Sequence, residues 1–263
     1  MIRKQGIMAF SPEYRNFSPA SAASTQAVLD AGLRAYMLRV YNWMGSGLLV
    51  TAIVAFGIAN TDLINLFYPR VQTPFGFRYA PTLLAYAAMF APLAFILVLS
   101  LGVNRLSTTA AQALFWAFCA TMGASLTNIF IIYTGESVVR VFFITSATFA
   151  ATSLYGYTTK SDLTRMGSFM MMGLFGIIIA GLVNIFMQSS ALQFAISVIG
   201  VVVFVGLTAY DTQRIKADYV EYAYAYGPDE AGKRSVFDSL SLYLNFINLF
   251  TLLLSLLGNR NSN

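Results

Sequence analysis

The chain has 263 residues, of which 57% are hydrophobic, 15% aromatic and only 10% charged. Soluble domains carry about 25% charged residues, so this composition excludes an ordinary water-soluble domain and points to a bilayer. The formal net charge of +5 then reports membrane topology rather than a nucleic-acid partner. Histidine is absent, which removes His-based catalysis, most zinc sites and the usual pH switch. Proton sensing is left to carboxylates. The single cysteine, Cys119, lies in an apolar stretch and cannot form an internal disulfide. It reads as a buried, inert thiol.

In chain order, residues 1–33 are polar and rich in Ser, Ala and Asn. They lack a short apolar core with a cleavage site, so they read as a mobile cytoplasmic tail and not as a cleaved signal. A spanning helix needs about 20 mostly apolar residues. Seven stretches qualify, near 37–59, 80–101, 109–132, 138–157, 166–187, 191–210 and 236–257. They make one membrane domain, 34–258, with a short tail at 259–263. The runs are long and lack period-two alternation, which favours helices over a β-barrel. Two connections are longer than the rest. One, 60–79, carries Pro69 and Pro74; the other, 211–235, is charged and rich in tyrosine. No internal repeat supports an inverted-repeat transporter.

One set of connections holds 12 of the 16 basic residues, including Arg34, Arg105, Lys160, Arg214 and Lys233. The positive-inside rule therefore places the N-terminus in the cytoplasm and the C-terminus outside. In the fifth span, Gly173, Gly176, Ala180 and Gly181 fall at helical spacing. They suit close packing inside the bundle, or a dimer face.

Intramembrane polar groups are costly and are functional candidates by default. Asp211 ends the sixth span in TAYDTQRIK, and Arg105 lies in the turn LGVNRLS. Topology puts both at one membrane face, where they suit an ion pair, or a solvated helix end beside an anchoring arginine. Asp238 stands near the start of the seventh span, where a carboxylate also suits a helix N-terminus. It precedes Asn245 by two turns, about 10 Å, too far for a direct bond. Asn128, Asn184, Asn245 and Asn248 are membrane amides suited to bonding neighbouring helices. Glu136, between the third and fourth spans, suits a helix cap or an outer cation entrance. There is no phosphate loop, no metal-ligand cluster and no nucleophile flanked by a base, so an enzyme is not expected. No lysine falls within a predicted span, which sets aside a retinal Schiff base.

Three segments, SLYGYTTKSDLTRMGSF, TAYDTQRIK and above all SLSLYLNFINLF, resemble the Bax inhibitor-1 family, also called the transmembrane Bax inhibitor motif family, in its bacterial branch. The resemblance covers residues 33–258. It implies an all-α integral membrane fold in which six helices surround a central seventh. It also implies calcium leak across a membrane, calcium being transported and not held as a cofactor. In bacterial relatives the leak is pH-gated by two aspartates sharing a proton, with an arginine beside them. By position, the first aspartate is Asp211, also a candidate calcium contact, and the arginine is Arg105. The second aspartate is Asn245 in this chain. Two close carboxylates share a proton because they cannot both ionise cheaply. An Asp–Asn pair lacks that repulsion, so the expected leak depends less on pH between about 6 and 8. The loss also favours a second reading: a non-conducting membrane protein that regulates a partner such as a membrane protease or stress-response factor. Its docking surfaces would be the tail and the tyrosine-rich segment 219–227. The resemblance implies a bacterial inner-membrane location, with the lipid bilayer, calcium and a membrane protein as partners and no nucleic acid.

Overall fold

The computed structural model describes residues 19–73, 76–102, 106–222 and 228–261. Among these residues, nine helices and a hairpin follow in the order α1 (Pro19–Ala59), α2 (Ile64–Phe67), β1 (Arg70–Thr73), β2 (Gly76–Tyr79), α3 (Leu83–Gly102), α4 (Thr108–Leu126), α5 (Asn128–Ile132), α6 (Gly135–Thr158), α7 (Thr164–Met187), α8 (Ser190–Tyr222) and α9 (Pro228–Leu257). Among the described residues, six helices are long and apolar enough to cross a membrane. The expected count was seven. The span predicted near 80–101 is present as α3, but its described apolar part, Leu83–Val98, is shorter than the others.

The central helix is the expected one. α9 packs against α1, α4, α6 and α8, and 56% of its most apolar window is buried. The expected ring of six differs in detail. α3 packs chiefly on α4, and α7 on α8, so both are outer helices. α7 explains why: it is apolar all round, and none of its most apolar window is buried. Such a helix gains as much from lipid as from protein. Its glycines follow suit. A Cβ at Gly173 would meet Val203, but Gly176 and Gly181 have open space beside them. Of the stripe's glycines, Gly173 is thus the one that packs against a neighbouring side chain.

The core is built around Tyr243 of α9, which is fully buried with Phe115, Phe118 and Leu242. Phe118 meets its ring edge-on at 5.5 Å. Its hydroxyl lies 2.6 Å from Thr51 Oγ1, and Thr51 also donates to the Gly47 and Cys119 carbonyls at 3.0 Å each. Every polar atom of this α1–α4–α9 junction thus has a partner, as burial in an apolar medium requires. Cys119 is buried and free, as expected. α1 and α4 run parallel: Gly47 faces Phe115 and Cys119, while Gly123 faces Thr51 and Val54.

Three boundaries differ from the hydropathy reading. α1 begins at Pro19, well inside the segment read as a tail, because its Ala, Gln and Leu residues are helix formers. Residues 1–18 lie outside the described residues. α8 runs on to Tyr222 and α9 starts at Pro228, about three and about two turns into the charged connection. Charge lowers hydropathy without breaking a helix. Within the expected docking surfaces, Tyr219 packs inward on Tyr36 with ring centroids 4.9 Å apart, while 223–227 lie outside the described residues.

Candidate functional site

TAYDTQRIK is a junction where nearly every side chain meets a different element. Gly167 of α7 has no room for a Cβ because the Tyr210 ring lies against it, and Gly156 of α6 is likewise pressed on the Ala209 backbone. These two contacts draw α6 and α7 onto α8 around Asp211. Thr212 Oγ1 lies 2.9 Å from Ser153 Oγ. Gln213 clamps the α6–α7 loop, accepting from Leu163 N and donating to the Ser161 carbonyl at 2.8 Å each. Lys216 donates to the Tyr157 carbonyl at 2.9 Å. In the same loop, hydrogen bonds from Thr164 hold the exposed Asp162 carboxyl below the usual carboxylate range.

Between α8 and α9 runs a polar seam. Asn245 Nδ2 donates to Asp211 Oδ2 at 2.7 Å. Arg214 Nη2 pairs with Asp211 Oδ1 at 3.0 Å and reaches Ser241 Oγ at 3.4 Å. Further along, Arg234 Nη2 pairs with Asp218 Oδ2 at 3.2 Å. The positions 211, 214 and 218 on α8 and 234, 238, 241 and 245 on α9 alternate steps of three and four, so each set forms one helix face.

Asp238 belongs to this seam and is not a helix-end charge, as one expectation had it. It lies ten positions inside α9 and is 8% exposed. The buried Tyr36 of α1 donates its hydroxyl to Asp238 Oδ2 at 2.5 Å. Among the described residues, Arg214 and Arg234 are the cations close enough to act on it.

Of the predicted site residues, Asp211 and Asn245 are brought together, and Asp238 joins the same seam. Arg105 lies outside the described residues. Among the described residues, the cation paired with Asp211 is Arg214, three residues on in the same helix. Sequence reasoning missed it by ending the sixth span at 210. Glu136 stands elsewhere, exposed in the first turn of α6, beside a cap in which Thr134 Oγ1 accepts from Ser137 N. It is about 25 Å along α6 from Ser153, which contacts the seam's neighbour Thr212. The amides also divide. Asn184 donates to Gln193 of α8 at 3.2 Å, whereas Asn248 donates to the Leu244 carbonyl of its own helix at 2.8 Å. Among the described residues no cluster of three or more His, Cys, Asp or Glu side chains could hold a metal ion. Both Asp211 oxygens are already engaged.

A bundle of long apolar helices around a central α9, with a carboxylate seam in its interior, defines an integral membrane protein. A family model described as "Inhibitor of apoptosis-promoting Bax1" matches residues 33–262. The chain is 47% identical over 241 residues to an uncharacterized protein of Rickettsia prowazekii (strain Madrid E), covering 91% of this chain and 96% of that one. It is 43% identical over 232 residues to the inner membrane protein YbhL of Escherichia coli (strain K12), covering 88% and 94%. An uncharacterized membrane protein of Streptococcus pyogenes serotype M3 is 33% identical over 229 residues, covering 87% and 94%. The chain belongs to the Bax inhibitor-1 family.

Proposed function

We propose that this chain is a calcium-permeable leak protein or calcium/proton exchanger of the bacterial inner membrane, with a gate that is insensitive to pH around neutrality. Asp211 is the gating carboxylate, Arg214 its counter-ion, and Asn245 the neutral lock that closes α8 onto α9. The observation that carries this reading is the 2.7 Å bond from Asn245 to Asp211, at the interface of the central helix. With an amide there, closure needs no shared proton. α3 serves as the seventh crossing: α1 and α4 run parallel, so the chain between them has to return across the bundle, and α3's 20 residues reach about 30 Å. The N-terminus then lies in the cytoplasm and the C-terminus outside. The inner-membrane location follows the name of YbhL.

Calcium flux into proteoliposomes, measured against pH, tests the gate. The wild type is expected to leak at a nearly constant rate between pH about 6 and 8, and Asn245→Asp to acquire a sigmoidal pH dependence there. Asp211→Asn removes the carboxylate on which that response depends. A steep response in the wild type that Asn245→Asp leaves unchanged overturns the reading.

A second reading is a non-conducting regulator of a membrane protein partner. It is favoured by the engagement of both Asp211 oxygens, since a calcium site gathers about six to eight oxygen ligands. Absence of flux at every pH, with a partner retained on purification, selects it.

A further inference from the structure

The connection between α1 and α3 is tied to the bilayer at both ends. The apolar span of α1 ends at Ala59, with Ile53 and Phe56 turned outward. α3 opens on Leu83, which is 86% exposed, followed by the exposed Leu84 and Tyr86. Thr82, just before α3, latches α2 to this entry point. Its hydroxyl donates to the Leu66 and Phe67 carbonyls at 2.7 and 3.1 Å, and its N–H donates to the Phe67 carbonyl at 2.9 Å. Ala80 N donates to the Pro69 carbonyl at 3.1 Å. The base of the β1–β2 hairpin is therefore held level with the first turn of α3.

The hairpin itself lies open. Its strands pack chiefly on each other, and a polar cavity of about 670 Å³, bordered by Asp62, Asn65, Arg70 and Tyr79, separates them from the end of α1. Arg70 pairs with Tyr79 and Gln72 with Phe77, so these four side chains share one face, while Val71 and Arg78 share the other. Phe77 is 72% exposed. Arg70 donates from Nε to the Tyr79 hydroxyl at 2.9 Å, and its guanidinium carbon lies 5.2 Å from the centre of that ring. Asp62 forms no ion pair with Arg70 across the cavity, so among the described residues the guanidinium has only Tyr79 as a partner. Two aromatic rings and a guanidinium on one face match the interfacial layer of a bilayer, where rings sit at headgroup level and arginine meets phosphate. The segment RVQTPFGFRY has two arginines and no acid, which suits an anionic surface. A headgroup layer is about 5–8 Å deep. Phe77 lies two residues, about 7 Å, beyond Tyr79, so an upright hairpin would carry it into water. We propose that the β1–β2 hairpin is an interfacial anchor lying flat on the bilayer beside α3. Phe77 enters the acyl boundary, and Arg70, held by Tyr79, binds the phosphate of an anionic phospholipid. The anchor fixes the depth of α3, whose described apolar part is shorter than the other spans.

The test uses the full chain with Phe77→Cys or Val71→Cys, spin-labelled and reconstituted into vesicles containing phosphatidylglycerol. Both positions are exposed, so labelling spares the fold. Cys119 is buried, and the wild-type chain serves as the labelling blank. Collision with a water-soluble nickel chelate, compared with collision with oxygen, reads the depth of each label. The label at position 77 should meet the chelate about tenfold less often than the label at position 71, the scale set by burying one apolar side chain. Adding Arg70→Glu should bring the chelate to position 77, whereas Arg78→Glu, on the other face, should leave that label protected. Vesicles of phosphatidylcholine alone should protect position 77 less than those containing phosphatidylglycerol. Equal chelate access at the two positions, protection that survives Arg70→Glu, or equal protection in both kinds of vesicle overturns the proposal. So does dipolar broadening between labels at position 77, which would assign this face to a second copy of the chain.

Discussion

Replacing Tyr36 by phenylalanine removes one oxygen and little else. The ring keeps its place against Tyr219, but Asp238 loses the hydroxyl that donates to it at 2.5 Å. Tyr36 and Asp238 are 5% and 8% exposed, so water does not readily take the hydroxyl's place. A hydrogen bond to a charged group contributes about 1.5–3 kcal/mol in proteins. Interhelical bonds measured in membranes lie lower, at about 0.6–2 kcal/mol. Burial of the carboxylate argues for the upper part of the overlap. Tyr36→Phe should therefore destabilise by about 2 kcal/mol, a change of roughly 30-fold in the folding equilibrium.

A double-mutant cycle isolates the bond. Asp238→Asn leaves an amide oxygen that still accepts from Tyr36, so it should cost less than Tyr36→Phe. The double variant should be less destabilised than the sum of the singles, with a coupling of about 1–2 kcal/mol. Unfolding in mixed detergent micelles, followed by the near-ultraviolet signal of the aromatic core, measures all four. A Tyr36→Phe cost below about 0.5 kcal/mol, or strictly additive singles, would refute the view that this bond holds α1 to the seam.

Thr51→Val leaves the buried Tyr243 hydroxyl without its 2.6 Å partner and should cost about 1–3 kcal/mol; Tyr243→Phe should cost less, because Thr51 keeps two carbonyl acceptors, and equal costs in the same unfolding assay would contradict this. Gly156→Ala drives a methyl into the Ala209 backbone and should destabilise by about 1–3 kcal/mol. Gly176→Ala enters open space and should stabilise by up to about 1 kcal/mol, so matching melting shifts for the two would refute the packing assigned to them. Gln213→Ala frees the α6–α7 loop from both of its clamps and should speed proteolysis within 159–163; an unchanged cleavage rate there would show that the loop is held by other contacts.

Long apolar runs made the helices legible, because a bilayer-spanning segment has to be long and apolar whatever its neighbours are. What hydropathy could not show was where helix outlasts membrane. α8 and α9 extend as charged helix beyond their apolar parts, and the seam lies partly in those extensions. The three-and-four spacing of Asp211, Arg214 and Asp218 was present in the sequence. It became meaningful only once the helix was known to continue, and that is why Arg214 was overlooked beside Asp211. The Tyr36–Asp238 bond joins residues 202 apart, and a lone tyrosine near an N-terminus carries no local sign of such a partner. The outer positions of α3 and α7 were equally hidden, since lipid and protein interior select the same residues.

The seam's charge balance explains both of its neutral partners. Among the described residues it carries three carboxylates, Asp211, Asp218 and Asp238, and two guanidiniums, Arg214 and Arg234. Arg214 covers Asp211, and Arg234 covers Asp218. Asp238 shares those two guanidiniums at longer range, without an ion pair of its own among the described residues, and it is the one that receives the Tyr36 hydroxyl. A fourth carboxylate at position 245 would stand in hydrogen-bond contact with Asp211 and, among the described residues, would have no guanidinium of its own. Taking such an unpaired charge out of water costs several kcal/mol, so the seam would have to hold a proton to close. With asparagine there, the closing bond forms from an amide that is neutral at every accessible pH. The same argument assigns Tyr36 and Asn245 one physical role at two points of the seam: each supplies a donor to a carboxylate without adding charge.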